Sequence, residues 1–255
     1  MGIELLGSVS IRNGETRHHI RAAKVRATLA LLALNAGQVV SFNELVDELW
    51  MECSLQNARN ALQANTLRLR RQLEAHAPDS ASGQLVRTTG NGYVLDVPAQ
   101  TVDVNRFQYL ADRGSTLVER QPGEAIDLLQ RALGLWRGPA LVDAGDGFRC
   151  RASAAGLEER RITAQEDLIA AQLHVGGERG AVSDLRQLVA RYPERERFRE
   201  QLMLALYRCG RQTEALDVFH HTRQWLGSEL GLKPHYSLHA MYRAILAQDP
   251  ALHRA

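Results

Sequence analysis

Long apolar runs, cysteine pairs and aromatic residues are scarce in this sequence, and each scarcity excludes a class of protein. Aromatic residues make up only 5% of the 255 positions, so any core must depend on Leu, Ala and Val. The three cysteines, Cys53, Cys150 and Cys209, are isolated and odd in number, which predicts free thiols rather than a disulfide framework or a zinc site. No apolar run approaches the ~20 residues that span a bilayer.

The signatures of enzymes and of export are also absent. There is no G-x-x-x-x-G-K-[ST] or G-x-G-x-x-G motif for nucleotides and no G-x-S-x-G nucleophile elbow. The pairs His18-His19 and His220-His221 are adjacent. Neighbouring helical residues diverge by about 100°, so such a pair does not make a metal site. We therefore expect no catalytic residue, cofactor or metal. Without a basic segment and apolar core at the start of the sequence, we expect a cytoplasmic, nucleoid-associated protein with no membrane partner.

The distribution of charge is more informative than its total. The net charge is only +2, and 29 of the 31 basic residues are arginine because lysine occurs only at positions 24 and 233. Between Leu55 and Leu95, five arginines face two acidic residues, a local balance of +3. A locally basic segment in a nearly neutral chain indicates a confined nucleic-acid contact rather than general coating of nucleic acid.

The first third of the sequence alternates short strands with helices. We predict strands at Ile3–Leu6 and Ser8–Arg12, and a helix at Lys24–Leu34 from its apolar spacing. Gly37 would end that helix, and Val39–Val40 would be extended.

A capping box marks the next helix, since Ser41 precedes it and Glu44 follows three residues later. This helix is predicted at Phe42–Trp50, and a third at about Gln56–Ala75. Strands at Val86–Thr89 and Tyr93–Val97 would then form a hairpin whose Gly90-Asn-Gly92 turn offers left-handed positions.

The third helix has two distinct faces when its residues are placed at 100° intervals. The predicted core side holds Ala58, Leu62, Asn65, Thr66, Leu69 and Leu73. The opposite side holds Asn60, Gln63, Ala64, Leu67 and Arg71, with Arg59 and Arg70 on one flank and Arg68 on the other. A solvated charged face would look similar. The order of capped helix, short break, Arg-rich helix and glycine hairpin favours a winged helix-turn-helix.

This interpretation predicts the residues that contact DNA. Asn60 and Gln63 can read base edges, Arg68 or Arg71 can pair with guanine, and Leu67 can contact a thymine methyl. Trp50 either donates its indole N–H to a phosphate or is a core residue at a helix end. The hairpin is either a structural turn, with Tyr93 packed, or a wing that contacts the backbone or minor groove. The full predicted set is Ser41, Trp50, Arg59, Asn60, Gln63, Thr66, Leu67, Arg68, Arg70, Arg71, Arg87, Thr88, Thr89 and Asn91.

The rest of the sequence is predicted to be helical and contains an internal repeat. Alanines at 125, 181 and 215 stand at equivalent places, and the last two are 34 residues apart, the period of a tetratricopeptide repeat. The first two are 56 apart, which implies an insertion of 22 residues, placed at Gly138–Phe148. We predict a mainly α protein, with a winged helix-turn-helix (α+β) domain at 1–98 followed by an all-α tetratricopeptide-like domain at 102–255.

In order and motifs, the sequence resembles the Streptomyces antibiotic regulatory protein (SARP) family. That family combines an OmpR-type winged helix-turn-helix with a bacterial transcriptional activation domain. The matching segments are Val39–Ser41, Leu45–Trp50, Ala58–Gln63, Leu67–Arg71, Val102–Phe107, Ala132–Gly138, Leu157–Arg160, Ala205–Arg211 and Glu229–Pro234. They cover almost the whole chain, and their order is more specific than any single motif.

The resemblance implies a pathway-specific transcriptional activator of a secondary-metabolite (antibiotic) gene cluster. Such proteins bind direct repeats in double-stranded promoter DNA near the −35 element, as tandem head-to-tail protomers, and recruit RNA polymerase holoenzyme. The sigma factor is the expected partner, with the alpha and beta subunits as further candidates. The implied polymerase-facing loop is Met51, Glu52, Cys53, Ser54 and Leu55.

One residue departs from the family pattern, and one alternative function stays open. Many OmpR-type wings carry Arg before the first glycine, where this sequence has Thr89, so Arg87 would have to supply the minor-groove contact. The alternative is a tetratricopeptide-type interaction adaptor whose N-terminal domain is only a scaffold.

Overall fold

A computed structural model describes residues 1–50, 55–76 and 85–253, without the side chains of Leu55 and Gln56. The chain divides into two compact units. The first contains Met1–Asp112 and Arg131–Ile162, and the second contains Arg113–Gln130 and Thr163–Ala255. This packing does not follow the division at residues 98–102, which stays a prediction about sequence domains. Among the described helices, none is both long and apolar enough to cross a membrane.

The first unit begins with a three-stranded antiparallel sheet. Its strands are β1 (Gly2–Glu4), β2 (Ser10–Asn13) and β3 (Thr16–His19), in the order β1-β2-β3. The first two strands were predicted, whereas β3 was not. Because β3 lacks buried residues, its sequence has no apolar alternation that would predict a strand.

Three helices form the helix-turn-helix core of the first unit. They are α1 (Ala23–Leu34), α2 (Phe42–Leu49) and α3 (Leu55–His76). Helix α1 packs against both others through its buried leucines, and the left-handed Gly37 (φ 79°) follows its end. All three helices lie within two residues of their predicted limits at each end.

A second three-stranded antiparallel sheet joins the wing hairpin to the start of α2. Its order is β4-β6-β5, with β4 at Val39–Ser41, β5 at Val86–Thr88 and β6 at Gly92–Leu95. In the β4–β6 register, Val40 lies opposite Tyr93. The predicted hairpin strands are therefore confirmed, and β4 anchors them to the helix-turn-helix.

Helices follow this sheet, starting with a 3-10 turn at Ala99–Thr101 and then α4 (Asp103–Leu117), α5 (Pro122–Leu133) and α6 (Phe148–Val175). The segment 134–147 is neither helix nor strand, and it contains all but the last residue of the insertion predicted at Gly138–Phe148. Its backbone hydrogen-bonds to the segment after β1: Arg137 N donates to Leu6 O (2.8 Å) and Leu141 N to Leu5 O (2.9 Å). These contacts hold the segment in the first unit.

The second unit is helical wherever the structure assigns secondary structure to it. Its later helices are α7 (Glu178–Arg191), α8 (Glu196–Arg208), α9 (Gln212–Trp225), a π-helical turn (Leu226–Leu230), α10 (Tyr236–Leu246) and a 3-10 turn (Pro250–Leu252). Helix α8 packs against α7, α9 and α10. The repeat alanines are buried, at most 1% exposed, and left-handed Gly176 and Gly210 lie in the turns between helices. The repeat pattern is thus confirmed as paired helices.

Candidate nucleic-acid interface

The inner face of α3 fixes which of its residues can meet a ligand. Every residue of the predicted core side is buried: Ala58, Leu62, Asn65, Thr66, Leu69 and Leu73. Thr66 also belongs to the predicted DNA-contacting set, but it is only 1% exposed and its hydroxyl donates to Leu62 O (2.9 Å). Because Thr66 lies one helical turn after Leu62 on the core face, we remove it from the candidate contacts.

The outer face of α3 is polar and basic, and its arginines have no partner among the described residues. Its exposed residues are Arg59, Asn60, Gln63, Leu67, Arg68 and Arg71. The guanidinium groups of the three arginines form no hydrogen bond or ion pair with any other residue that the structure describes. Leu67 is 48% exposed, an unusual position for a leucine on a solvated helix. The face therefore presents unused donors, amide groups and one apolar side chain to the outside.

Arg70 has a different role from the other arginines of α3. It is half-buried, and its Nε donates to Val86 O (2.9 Å) while Nη2 donates to Thr88 Oγ1 (2.8 Å). Its guanidinium also lies 5.9 Å from the centre of the Tyr93 ring. Arg70 thus connects α3 to the hairpin, and Thr88 uses its hydroxyl oxygen in the same contact. This positioning role was not predicted, because it depends on residues 16 to 23 positions away in sequence.

The hairpin turn is built differently from the prediction. Neither Gly90 nor Gly92 has a positive φ, so the expected left-handed positions were wrong. Gly92 is needed instead for close approach, since a Cβ there would lie 2.0 Å from Val40 O. Thr89 closes the turn, because its N–H and its hydroxyl both donate to Gly92 O (2.9 and 3.1 Å). Asn91 is exposed at the tip.

Two residues of the hairpin bear directly on its use as a wing. Tyr93 is 3% exposed, which confirms that it packs. Arg87, the proposed substitute for the arginine missing at position 89, donates from Nε to Asp96 Oδ2 (2.8 Å), and both side chains are more than half exposed. An exposed pair of this kind is worth ~0–1 kcal/mol, so Arg87 can exchange Asp96 for a phosphate at little cost.

The start of α2 shows the predicted capping box. The Ser41 hydroxyl accepts from Glu44 N (3.2 Å), and Glu44 Oε2 accepts from Ser41 N (2.9 Å) and from the Ser41 hydroxyl (2.8 Å). The hydrogen bond from the Ser41 backbone, joined by that from its hydroxyl, lowers the pKa of Glu44 below 4.5. An ionised carboxylate here disfavours a phosphate at Ser41, so we assign Ser41 to helix capping only.

Trp50, at the end of α2, is half-buried rather than a core residue. The Lys24 ammonium lies 5.7 Å from the centre of its ring and donates to Leu49 O. A lysine beside an accessible indole keeps the phosphate contact open. Lys24 was not predicted as a neighbour of Trp50, because the two residues are 26 positions apart in sequence. The predicted polymerase-facing loop lies outside the described residues at 51–54, and only the backbone of Leu55, at the start of α3, is described.

Two family models match the chain. The model described as "Transcriptional regulatory protein, C terminal" matches residues 20–95. The model described as "Bacterial transcriptional activator domain" matches residues 102–246. The first range contains α1 to β6, and hence all the candidate contacts on α3 and the hairpin.

Individual relatives match over nearly the full chain. Transcriptional regulator RedD of Streptomyces coelicolor is 48% identical over 250 residues, which cover 98% of this chain and 71% of RedD. Regulatory protein DnrI of Streptomyces peucetius is 38% identical over 261 residues, which cover 100% of this chain and 95% of DnrI. A solved structure, Mycobacterium tuberculosis EmbR in complex with a low affinity phosphopeptide, matches with a TM-score of 0.91 and 28% identity, over 98% of this chain and 65% of that one.

Three observations indicate the same family. They are the order of a winged helix-turn-helix followed by paired helices, the exposed basic face of α3, and the similarity to these relatives. The chain belongs to the Streptomyces antibiotic regulatory protein family of transcriptional activators, with an OmpR-type DNA-binding domain followed by a bacterial transcriptional activation domain.

Proposed function

We propose that this chain is a pathway-specific activator of a secondary-metabolite (antibiotic) gene cluster, and that the outer face of α3 reads its promoter. The observation that carries this proposal is the composition of that face. Three arginines, which form no hydrogen bond or ion pair within the described ranges 1–50, 55–76 and 85–253, surround two amides and one exposed leucine. A face built only to stay solvated would not need Leu67 at 48% exposure.

Each side chain on this face has a role that its chemistry permits. Asn60 and Gln63 present amides, which suit the N6 and N7 edge of adenine, and Arg68 and Arg71 present guanidinium groups, which suit O6 and N7 of guanine. Leu67 offers an apolar contact for a thymine methyl. Arg59, on the flank of the helix, is assigned to the phosphate backbone.

The wing supplies contacts that position the protein. Arg70 holds the hairpin against α3 through Val86 and Thr88, so we assign it to the placement of the wing. Arg87 and the exposed Asn91 are then the wing residues proposed to reach the sugar-phosphate backbone or minor groove. Trp50 is proposed to donate its indole N–H to a phosphate beside the Lys24 ammonium.

The remaining parts of the proposal concern assembly on the promoter. We propose that tandem head-to-tail protomers bind direct repeats near the −35 element and recruit RNA polymerase holoenzyme. The residues proposed to face the sigma factor are 51–54, between α2 and α3, and Leu55 at the start of α3. Similarity to the transcriptional regulator RedD and the regulatory protein DnrI, both from Streptomyces, supports a regulatory role for this chain.

Footprinting of the purified protein on the promoters beside its own gene tests the proposal. We expect protection of two or more direct repeats. In gel shifts, Arg68→Ala should weaken specific binding by about 1–3 kcal/mol if Arg68 reads a base. Arg59→Ala should weaken binding to all sequences about equally and make the salt dependence less steep. Arg223→Ala is the matched control, because Arg223 is an exposed helical arginine of the second unit.

Two outcomes would contradict the proposal. This face of α3 does not contact DNA if promoter binding is unchanged in all three single variants, Arg59→Ala, Arg68→Ala and Arg71→Ala. Failure to bind any DNA at low salt would favour the adaptor, because phosphate contacts give affinity that rises steeply as salt is lowered.

A further inference from the structure

A cavity in the first unit, remote in sequence from α3 and the wing, is rich in arginine. It has a volume of about 250 Å³ and is lined by residues of β1, β2, β3, the start of α4 and the irregular segment 134–147. Four arginines line it: Arg12, Arg17, Arg106 and Arg137. They face two carboxylates, Glu4 and Asp103, so the lining carries two more positive than negative charges.

The two carboxylates already have their hydrogen-bond partners. Glu4, 7% exposed, accepts from Arg17 Nε (2.5 Å) and Nη2 (3.2 Å) and from Ser10 Oγ (2.8 Å). Asp103, 6% exposed, accepts from the backbone N–H groups of Leu5 (2.7 Å) and Leu6 (3.1 Å).

Two of the four lining arginines, Arg17 and Arg137, are already bonded to groups of the protein. Arg137 completes the shell of Asp103 with a bond of 3.3 Å from Nη2, and its Nη1 donates to Ser8 O (3.1 Å). Arg17 and Arg137 are therefore committed to the protein itself, and they neutralise the two acids.

Arg12 and Arg106 have guanidinium N–H donors that are not used in hydrogen bonds to described residues. Arg12 Nε forms a long ion pair with Glu4 Oε1 at 3.6 Å, a distance at which it makes no hydrogen bond. The guanidinium of Arg106, which is exposed, makes no hydrogen bond or ion pair with the part of the chain that the structure describes. Each guanidinium carries five N–H donors. Arg12 and Arg106 line the same cavity, so both can offer N–H donors to an oxyanion bound there.

We propose that this cavity binds a small phosphate monoester, with Arg12 and Arg106 donating to the phosphate oxygens. Planar guanidinium groups match phosphate geometry and form charge-assisted hydrogen bonds that are about twice as strong as neutral ones. The cavity volume of about 250 Å³ is many times the ~10–15 Å³ that one water molecule requires. It therefore has room for an organic group beside the phosphate. Half-buried Leu135, also on the lining, would contact the organic part of the ester. Inorganic phosphate shares the anchoring chemistry and is the alternative source.

Calorimetry on the full chain at constant ionic strength tests this site. The probes are O-phospho-L-serine, inorganic phosphate and L-serine, each titrated in chloride buffer. We expect saturable binding of O-phospho-L-serine, weaker binding of inorganic phosphate and no heat with L-serine. Arg12→Gln and Arg106→Gln should each raise Kd at least tenfold, whereas Arg120→Gln, an exposed arginine of the second unit, should leave Kd unchanged.

The other calorimetric results would either support or overturn the oxyanion site. Equal or tighter binding of inorganic phosphate supports the oxyanion site and assigns it to free phosphate. No heat with either phosphate compound overturns the proposal, as does unchanged Kd in both variants or an equal loss in Arg120→Gln. Arg106→Gln secures the test against misfolding, because the Arg106 guanidinium makes no hydrogen bond or ion pair in the described part of the chain. Promoter gel shifts with the same variants should be unchanged, which separates a failure here from a failure of the α3 assignment.

Discussion

Glu48, a buried acid on α2, carries the most consequential contact between the helix-turn-helix and α6. It is 8% exposed, and its carboxylate accepts from the backbone N–H groups of Arg149 (2.8 Å) and Cys150 (2.9 Å) in the first turn of α6. A Cβ at Gly147 would lie 2.1 Å from Glu48 Oε1, so glycine leaves the space through which the carboxylate reaches α6. Glu48 therefore caps a helix that begins 100 positions later.

Removing this carboxylate should cost about 1.5–4 kcal/mol of unfolding free energy. Cys150 is 1% exposed, so in Glu48→Ala its N–H loses a charged partner without access to water, a loss of about 1–3 kcal/mol. Arg149 is exposed and its N–H can hydrate, which adds roughly 0.5–1 kcal/mol, at the low end of the cost of a lost helix cap. Glu48→Gln keeps one acceptor oxygen and should cost about half as much.

Urea unfolding followed by far-UV circular dichroism measures this loss. Asp47→Asn is the matched control, because Asp47 is the exposed neighbour of Glu48 on the same helix, and we expect a change within about 0.5 kcal/mol. A Glu48→Ala protein as stable as the Asp47→Asn control would refute the assignment of Glu48 as the cap of α6.

Two further predictions concern groups next to this contact. Burial raises the pKa of the Cys150 thiol, and the Glu48 carboxylate raises it further. Iodoacetamide at pH 8 should therefore leave Cys150 unlabelled in the native protein and label it in urea. Detection of alkylated Cys150 in the native protein by mass spectrometry would contradict this. Hydrogen bonds from the Ser41 backbone and hydroxyl lower the pKa of Glu44 below 4.5, so its stabilisation is complete above that pH and is lost as pH falls through the lower folded-state pKa. In acid titrations of unfolding free energy, Glu44→Gln should therefore lose less stability below pH 4.5 than the parent chain, and an equally steep loss would count against the capping role of Glu44.

Features set by local sequence were predictable. The core face of α3 follows from helical periodicity, because Leu62, Leu69 and Leu73 recur on one side of the helix, and all are buried as expected. The capping box at Ser41 and Glu44 follows from a spacing of three residues. In each case, the residues that determine the structure lie within one or two helical turns of one another.

Features set by contacts across the chain were not predictable from one sequence. Gly92 looked like a turn residue, but the reason for glycine is the Val40 carbonyl on a strand about 50 positions earlier. Arg70 looked like a DNA-binding arginine, yet its guanidinium is used by Val86 and Thr88. Arg70 has the same residue type as the exposed Arg59 and lies on the same flank of the helix, and only the position of the hairpin distinguishes the two.

Helix α2 packs against both the helix-turn-helix core and the first turn of α6. These two contacts explain why the first unit extends beyond the domain boundary predicted at residues 98–102. Leu45 and Leu49 face the helix-turn-helix core, whereas Glu44 and Glu48, one turn apart on another face, both reach the first turn of α6. Glu48 holds its backbone, and Glu44 Oε1 lies 3.1 Å from Arg149 Nη2. The helix that precedes the proposed reading helix is thus fixed by residues of the activation domain. A chain ending at residue 98 would lack both contacts and would leave the Glu48 carboxylate open to solvent, so we expect α2 to be held less firmly there than in the full chain.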